Sequence, residues 1–263
     1  EMSVNQDILK KITNQDYTTI ANRIQNKLKQ KIIETNSKGV IFGLSGGIDS
    51  AVIAYLCNNS IKEKTLAIIM PDSKVSPESE TSDAIKIVDK LGLNYKLLDI
   101  NSIHKEFNMV LEPEDRALGN LRARIRMNVL YYYANLKNLL VLGSSDKSEF
   151  NIGYFTKFGD GASDVLPISS LYKTQVREIA KNLGIDENII SKKSSPHLWP
   201  NHDAEHEIGA EYEQIDIILY CIIEKKMNIE ETVKESMIEE GIVKRIYQLH
   251  DVSKHKRISA EEF

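Results

Sequence analysis

Between residues 39 and 142, short apolar runs alternate with longer segments in which apolar residues recur at helical spacing. The runs predict β-strands at residues 39–44, 65–70, 95–100 and 139–142. The longer segments predict a helix that begins near residue 51 and helices over residues 79–91 and 118–136. Because alternating strands and helices pair in parallel through right-handed crossovers, the pattern predicts an α/β fold with a doubly wound parallel sheet.

Helical segments flank this alternating region on both sides. Apolar residues recur at helical spacing from residue 6 to residue 34, with an interruption near residues 14–16. Four further segments predict a helical C-terminal region: residues 173–183, 208–224, 229–239 and 243–250. Since no stretch has the composition of a linker, we expect a single domain over residues 1–263.

The composition narrows the class of protein. The 34 Lys and Arg residues against 38 Asp and Glu residues give a net charge of −4, so the chain as a whole has no electrostatic reason to bind nucleic acid or an anionic membrane. No apolar run approaches the roughly 20 residues that cross a bilayer. Cys57 and Cys221 lie far apart and outside any CxxC spacing, which fits a reducing compartment. We therefore expect a cytoplasmic protein.

A glycine-rich turn follows the first predicted strand, where ligands bind in sheets of this kind. Its residues are Gly43, Leu44, Ser45, Gly46, Gly47, Ile48, Asp49 and Ser50. Adjacent glycines let the backbone approach an anion closely, and the free N–H groups of the following helix suit a phosphate. A Walker-type loop would need GxxxxGK[ST], and this turn has no Lys at the required place. We predict a phosphate-binding loop of another kind.

The sequence SGGIDS at residues 45–50 closely resembles the SGGxDS pyrophosphate-binding loop of N-type ATP pyrophosphatases. Enzymes of that superfamily have a Rossmann-like fold, named adenine nucleotide alpha hydrolase-like, and they adenylate a substrate with release of pyrophosphate. The resemblance implies that the loop binds ATP and that Asp49 is a ligand of Mg²⁺, which prefers carboxylates together with phosphate oxygens and water. Without such a role, Asp49 would only be a favourable charge at a helix N-terminus.

Two later segments narrow the resemblance to one family. The sequences SSDKSE at residues 144–149 and GYFTKFGDG at residues 153–161 resemble two blocks of NAD synthetases. Three more pieces keep the order of that family, at residues 121–127, 166–173 and 255–257. The resemblance covers nearly the whole chain. It implies that ATP adenylates the carboxylate of deamido-NAD, that ammonia converts this carboxylate to the amide of NAD, and that AMP and pyrophosphate are released.

The resemblance also implies roles for individual residues. The expected catalytic residues are Asp49, Glu149 and Lys173, of which Asp49 and Glu149 are the expected ligands of Mg²⁺. Expected ATP contacts beyond the glycine-rich turn are Ser144, Lys173 and Ser195. Expected deamido-NAD contacts are Arg124, Lys157, Asp164, His255 and Lys256. Ser144 and Ser195 stand where the family usually has Thr, and this change retains the hydroxyl group.

One segment departs from the family pattern. Where the family commonly shows Gln-x-Asp-Glu, this chain has Asn201-His-Asp-Ala-Glu205, so Ala204 replaces a usual Asp. We therefore do not transfer the family's closure of this loop to this chain, in which Glu205 and Glu207 still supply carboxylates. His197, His202, Asp203 and His206 superficially suggest a zinc site, but no cysteine supports it and the spacing fits a polar lid at least as well.

Two alternative functions remain open. The chain could be another N-type ATP pyrophosphatase, such as a GMP synthetase subunit, or a nucleotide-binding regulator that has lost catalysis. Intact Asp49, Glu149 and Lys173 favour an enzyme over a regulator. Glutamine-using members of the family carry a large amidohydrolase domain before the synthetase, and only short sequence precedes the first predicted strand. We therefore expect free ammonia as the nitrogen source, unless a separate subunit supplies it.

The predicted helix over residues 118–136 carries apolar residues on more than one face. A helix that covers one side of a sheet needs a single apolar stripe of about 100°. We therefore expect a homodimer formed through this helix, and the resemblance implies that deamido-NAD lies near the subunit boundary. In the alternative, the C-terminal helices cover the second face within one subunit.

Overall fold

The computed structural model describes residues 4–199, 202–260 and 262. Within these residues, one parallel sheet contains β1 (Gly39–Gly43), β2 (Thr65–Ile69), β3 (Asn94–Leu97) and β4 (Leu139–Val141). The spatial order of the strands is β3-β2-β1-β4. The predicted α/β fold with a parallel sheet is confirmed.

Helices surround the sheet and make up the C-terminal part of the described chain. Those before and between the strands are α1 (Gln6–Thr13), α2 (Tyr17–Glu34), α3 (Ile48–Ile61), α4 (Glu78–Leu91), α5 (Asn101–Asn108) and α6 (Asp115–Lys137). Those after β4 are α7 (Lys147–Ile152), α8 (Lys173–Asn182), α9 (Glu187–Ile190), α10 (Ala204–Ile208), α11 (Tyr212–Leu219), α12 (Ile229–Ser236) and α13 (Glu240–Val252). The shortest of these, such as α7 and α10, were not predicted because they span too few residues to show helical periodicity.

The side chains of the central strand alternate between two cores. Val40 and Phe42 of β1 pack in a cluster with residues of α2, α3, α4 and α8, whereas Ile41 packs on the opposite face with Ile125 of α6. This alternation is the expected period of two along a strand. Because both faces of the sheet are covered by helices, the fold is doubly wound as predicted. A third cluster joins α1 to the C-terminal helices α11 and α13.

The strand order reverses direction beside β1. From β1 the chain moves outward through β2 to β3, and α6 then carries it back to β4 on the other side of β1. The chain segments that follow β1 and β4 therefore border one crevice beyond the carboxyl ends of the strands, which is where doubly wound sheets bind ligands. Both the glycine-rich turn and the segment at residues 144–149 begin at this crevice.

Two predictions about this part of the fold need correction. The third strand was expected at residues 95–100 but covers only Asn94–Leu97, and all of its residues are exposed because it lies at the edge of the sheet. Most of the apolar residues of α6 pack on the sheet rather than forming a second apolar face. Tyr132 and Leu136 are the exceptions on this helix, each 63% exposed. Within the described residues, no helix combines the length and apolar character needed to span a membrane.

Candidate active site

A buried lysine gathers three carboxylates at the crevice. The Nζ atom of Lys173 lies 2.6 Å from Asp49 Oδ2, 2.9 Å from Asp146 Oδ2 and 2.9 Å from Glu149 Oε1. The side chains of Lys173 and Asp146 are fully buried, whereas those of Asp49 and Glu149 are 19% and 18% exposed. Asp49 and Glu149 therefore present their partly exposed edges to the crevice, and Lys173 lies behind them.

Each member of this cluster stands at the beginning of a helix. Asp49 lies in the first turn of α3, and Lys173 is the first residue of α8. Asp146 precedes α7, and its Oδ1 accepts a 2.8 Å hydrogen bond from the backbone N–H of Glu149. Carboxylates are stabilised at helix N-termini by free N–H groups and by the helix dipole. The short helix α7 thus fixes both Asp146 and Glu149 next to the start of α3.

The electrostatics of the cluster favour the binding of additional positive charge. Burial raises the pKa of Asp146 to about 6 and raises that of Glu149 well above its usual value, and the neighbouring carboxylates add to both effects. Burial alone would lower the pKa of Lys173, but the three carboxylates around it raise that pKa well above its ordinary range. Lys173 therefore stays an ammonium group, and one ammonium cannot neutralise three carboxylates.

These residues fit the Mg²⁺ ion that the resemblance implies. One oxygen from each of Asp49, Asp146 and Glu149 lies within 4.8 Å of the others, and within the described residues this is where side chains capable of holding a metal come together. Asp49 Oδ1 is buried and has no hydrogen-bond partner among the described residues. Carboxylate oxygens are the ligands that Mg²⁺ prefers. Sequence reasoning missed Asp146, although it lies inside the segment that revealed Glu149.

A second layer of buried polar residues holds the cluster in place. The hydroxyl of Tyr212, a fully buried residue, donates a 3.2 Å hydrogen bond to Glu149 Oε1. Asp216 accepts a hydrogen bond from Ser148 Oγ and a 2.8 Å bond from the backbone N–H of Thr174. Burial raises the pKa of the Asp216 carboxyl to about 7. Because Ser148 and Thr174 adjoin Glu149 and Lys173, Asp216 locks α7 and α8 together beneath the cluster.

The glycine-rich turn has the geometry of an anion-binding loop, and we call residues 43–50 the phosphate loop. Gly46 has φ = +88°, and a Cβ atom at this position would lie 2.3 Å from the carbonyl oxygen of Glu80. Only glycine suits both constraints. The hydroxyls of Ser45 and Ser50 lie 3.1 Å apart, and Ser50 Oγ also accepts a hydrogen bond from the backbone N–H of Ser45.

The cation-rich part of the site lies around the segment after α7. Arg124 Nη2 donates a 3.1 Å hydrogen bond to the carbonyl oxygen of Lys157, and Lys157 Nζ lies 3.4 Å from His255 Nδ1. Lys256 Nζ donates to the carbonyl oxygens of Gly153 and Phe155, both at 2.8 Å. The structure thus brings four of the five residues expected to contact deamido-NAD into one region, which we call the basic side.

The fifth residue, Asp164, lies elsewhere in the described chain. Its Oδ2 accepts a 2.8 Å hydrogen bond from the backbone N–H of Val141, and its Oδ1 accepts a 3.2 Å bond from the hydroxyl of Tyr131 on α6. Asp164 is exposed and does not line the crevice. In a single chain it therefore joins the end of β4 to α6.

A cavity of about 630 Å³ joins these parts beyond β1 and β4. The expected site residues that line it are Gly43, Leu44, Ser45, Gly47, Ile48, Asp49, Ser50, Arg124, Ser144, Glu149, Lys157, Ser195, His255 and Lys256. Gly46 and Lys173, like Asp164, do not line it. The contact between Lys173 and an ATP phosphate stays a prediction, because the structure places its ammonium group behind the carboxylates.

The suspected zinc ligands do not form a metal site within the described residues. His202 Nε2 and the hydroxyl of Tyr154 both bond Glu207 Oε2, at 2.7 Å each, and the indole of Trp199 stacks on the His202 ring. His202 is thus held in a polar cluster at the rim of the cavity, which agrees with a lid. Asn201 lies outside the described residues.

Comparison with known proteins agrees with this geometry. The chain matches the family model described as NAD synthase over residues 20–260. The NH(3)-dependent NAD(+) synthetase of Hyperthermus butylicus is 46% identical over 252 residues, which are 95% of this chain and 91% of the relative.

Two solved structures are similar to this chain in both fold and sequence. The NH3-dependent NAD synthetase from Campylobacter jejuni is 33% identical with a TM-score of 0.81, covering 95% of this chain and 99% of that one. The NMN synthetase from Francisella tularensis is 32% identical with a TM-score of 0.82, covering 94% and 98%. The chain belongs to the NAD synthase family.

Proposed function

We propose that the chain is a carbon–nitrogen ligase that converts deamido-NAD to NAD with ammonia and ATP. The observation that carries the proposal is the single cavity in which Asp49 and Glu149 stand between the phosphate loop and the basic side. The phosphate loop suits a triphosphate and the basic side suits an anionic nucleotide, and both border the same two carboxylates. The family membership supports this activity, and it does not favour a GMP synthetase subunit.

The groups of the chain suit an adenylation reaction. The free N–H groups at the start of α3 and the hydroxyls of Ser45 and Ser50 bind the phosphates of ATP. Arg124 and Lys157 hold the phosphates of deamido-NAD, so that its nicotinate carboxylate meets the α-phosphorus. Asp49, Asp146 and Glu149 would hold Mg²⁺, which would supply positive charge to offset the charge of the triphosphate.

The chemical steps then need positioning rather than a covalent nucleophile. The carboxylate attacks the α-phosphorus, the bond to pyrophosphate breaks, and a mixed anhydride with AMP forms. Ammonia attacks the carbonyl carbon, loses a proton and displaces AMP. Lys173 keeps the three carboxylates in place throughout, because its ammonium group is buried between them. Preorganised charges of this kind are the usual source of rate enhancement in such sites.

A second substrate has a specific observation in its favour. One of the solved structures similar to this chain is an NMN synthetase, whose product name is that of a mononucleotide. A nicotinate mononucleotide would use the same carboxylate chemistry but would lack the adenylate half of deamido-NAD. The basic side, with Arg124, Lys157 and His255 close together, favours the larger dinucleotide because it offers more cationic contacts than one phosphate requires.

The oligomeric state belongs to the same proposal. Tyr132 and Leu136 expose most of their surface on α6, and Met109 and Val110, beyond the end of α5, are 71% and 79% exposed. The helices α5 and α6 pack against each other. A two-fold contact between copies of α6 would cover Tyr132 and Leu136 and would bring Arg124 near the boundary. The single domain and the cytoplasmic location stay predictions.

One assay tests the function. The purified chain is given ATP, MgCl₂ and ammonium with either deamido-NAD or nicotinate mononucleotide, and the amide product and pyrophosphate are measured. We expect rapid conversion of deamido-NAD, slow conversion of the mononucleotide and loss of activity on chelation of Mg²⁺. Glutamine in place of ammonium should give a negligible rate. Faster amidation of the mononucleotide would reassign the substrate. If pyrophosphate were released with neither deamido-NAD nor the mononucleotide as substrate, that is, if both failed to react, the proposal would be wrong.

A further inference from the structure

A lysine that lines the cavity, but that the sequence did not predict as a site residue, is bound to the phosphate loop. Lys192 follows α9, and its side chain is 23% exposed. Its Nζ atom lies 2.6 Å from Asp83 Oδ2 and 3.0 Å from Glu80 Oε1, and it donates a 3.2 Å hydrogen bond to the carbonyl oxygen of Gly46. One ammonium group thus joins the phosphate loop to two carboxylates of α4.

The contact falls at the most constrained point of the loop. Gly46 has a left-handed backbone, and it packs so closely on the Glu80 carbonyl that no side chain would fit between them. Its own carbonyl oxygen accepts the hydrogen bond from Lys192, and both Lys192 and Glu80 line the cavity. Since a peptide unit is planar, fixing the Gly46 carbonyl also fixes the N–H of Gly47, which borders the cavity.

The ion pairs that Lys192 forms with Glu80 and Asp83 differ from ordinary surface ion pairs, because the lysine is mostly buried. Burial would lower the pKa of its ammonium group, but the hydrogen bonds that it donates to Asp83 and Glu80 raise that pKa above its usual value, so the group stays charged. Lys86 also pairs with Asp83, at 3.1 Å, but its side chain is 72% exposed. Among the described residues, Lys86 makes no contact with the phosphate loop. It therefore offers a matched control.

Lys192 also begins a segment of the chain, residues 192–198, that connects two parts of the site. The chain leads from Lys192 through Ser195 and His197 to Leu198, and all four residues line the cavity. The carbonyl oxygen of Leu198 accepts a 2.9 Å hydrogen bond from Arg122 Nη1 on α6. The segment over residues 192–198 is thus fastened at one end to the phosphate loop and at the other to the helix that carries Arg124.

We propose that Lys192 is a positioning residue for ATP: it holds the phosphate loop against α4 in the conformation that binds the triphosphate. The proposal rests on the proposed function only in that ATP is the nucleotide bound. Lys192 lines the cavity, and the role proposed for it acts through its hydrogen bond to the Gly46 carbonyl.

The test compares Lys192→Met, Lys192→Arg and Lys86→Met with the wild-type chain. Loss of a partly buried, charge-assisted contact should raise the KM for ATP by about tenfold or more in Lys192→Met. The KM for deamido-NAD should stay within about twofold, because the basic side is unchanged. Lys192→Arg should recover most of the ATP affinity, since it keeps the charge and can donate to the Gly46 carbonyl. Lys86→Met should behave as the wild type.

Calorimetric binding of a non-hydrolysable ATP analogue gives the same comparison without turnover, so the proposal can be judged even if deamido-NAD is not the substrate. If Lys192→Met does not fold, Lys192→Gln takes its place. An unchanged affinity for the analogue would overturn the proposal, as would an equal loss in Lys86→Met. Recovery of affinity when Glu80→Gln and Asp83→Asn are added to Lys192→Met would also overturn it, because charge balance alone would then explain the effect.

Discussion

The phosphate side of the cavity and its basic side are built in opposite ways. On the phosphate side, Asp49, Asp146, Glu149 and Lys173 are mostly buried and bond one another at the starts of three helices. On the basic side, Arg124 and His255 are exposed, and the donors bond backbone carbonyl groups. The first side is therefore held mainly by its own ion pairs, whereas the second is more exposed. In the proposed dimer, a partner copy would lie near the second side.

The largest effect should come from the phosphate side. Asp49→Asn, Asp146→Asn and Glu149→Gln should each lower kcat by at least about a hundredfold, the scale of losing one preorganised charged group. The fold should persist, because each replacement keeps the size of the side chain and relieves the mutual repulsion of the carboxylates. Steady-state rates and thermal unfolding of the same samples give the two measurements.

The Asp146 variant gives the most informative test of the three, because the Asp146 carboxylate is fully buried and was not predicted from the sequence. Glu178→Gln serves as the control, since Glu178 pairs with Lys181 at 2.8 Å on the exposed side of α8. Activity of Asp146→Asn close to that of the control would remove Asp146 from the metal site. The phosphate side would then rest on Asp49 and Glu149 alone.

A smaller effect should come from the exposed part of α6. Tyr132→Glu combined with Leu136→Lys should convert a dimer to monomers, because charges would be buried at the two-fold contact. The KM for deamido-NAD should rise by roughly tenfold or more, whereas that for ATP should change little. Analytical ultracentrifugation and titration with each substrate measure both results.

If the wild-type protein sedimented with the mass of a single chain, the dimer would be excluded. A monomeric variant that binds deamido-NAD as tightly as the wild type would instead show that the basic side is complete in one chain. Arg23→Glu, on the exposed surface of α2, is a control for added charge on a helix. It should leave the mass and both substrate affinities unchanged.

The contrast between the two sides also explains what the sequence could predict. The phosphate loop and Glu149 lie in short contiguous motifs that follow strands, so the fold delivers them to one crevice. Short apolar runs predicted β1, β2 and β4, whose residues are buried or half-buried. The exposed edge strand β3 and the short helix α7 give weaker patterns, and their bounds were wrong or missing.

Residues that act across the fold left no signal in the sequence. Tyr212 and Asp216 reach the catalytic cluster from α11, and Lys192 reaches the phosphate loop from the segment after α9. These residues lie far from the motifs along the chain, and only tertiary packing brings them next to the motif residues. Asp146 is different: it lies inside a motif, but its position before a short helix also fits a simple cap. Only the distances show that it does both.

The smallest effect should come from the docking of the C-terminal segment that carries His255 and Lys256. His250 Nδ1 lies 2.8 Å from the carbonyl oxygen of Asn151, and Arg257 donates to the same oxygen at 2.9 Å. Burial lowers the pKa of His250, and the nearby charge of Arg257 lowers it further. The unfolded chain, with an ordinary pKa of about 6.5, therefore binds a proton more readily than the folded chain.

The sign of the pH dependence follows from this difference. The stability contributed by neutral His250 is fully present above about pH 6.5, and it is lost as the pH falls through the lower, folded-state pKa. We expect the free energy of unfolding in urea to drop less for His250→Gln than for the wild type on going from about pH 7.5 to about pH 5.5. His206→Gln, at an exposed position on α10, is the control and should follow the wild type. An equal drop for the wild type and His250→Gln would mean that His250 does not govern this docking, and that the open basic side is held by Arg257 and Lys256 instead.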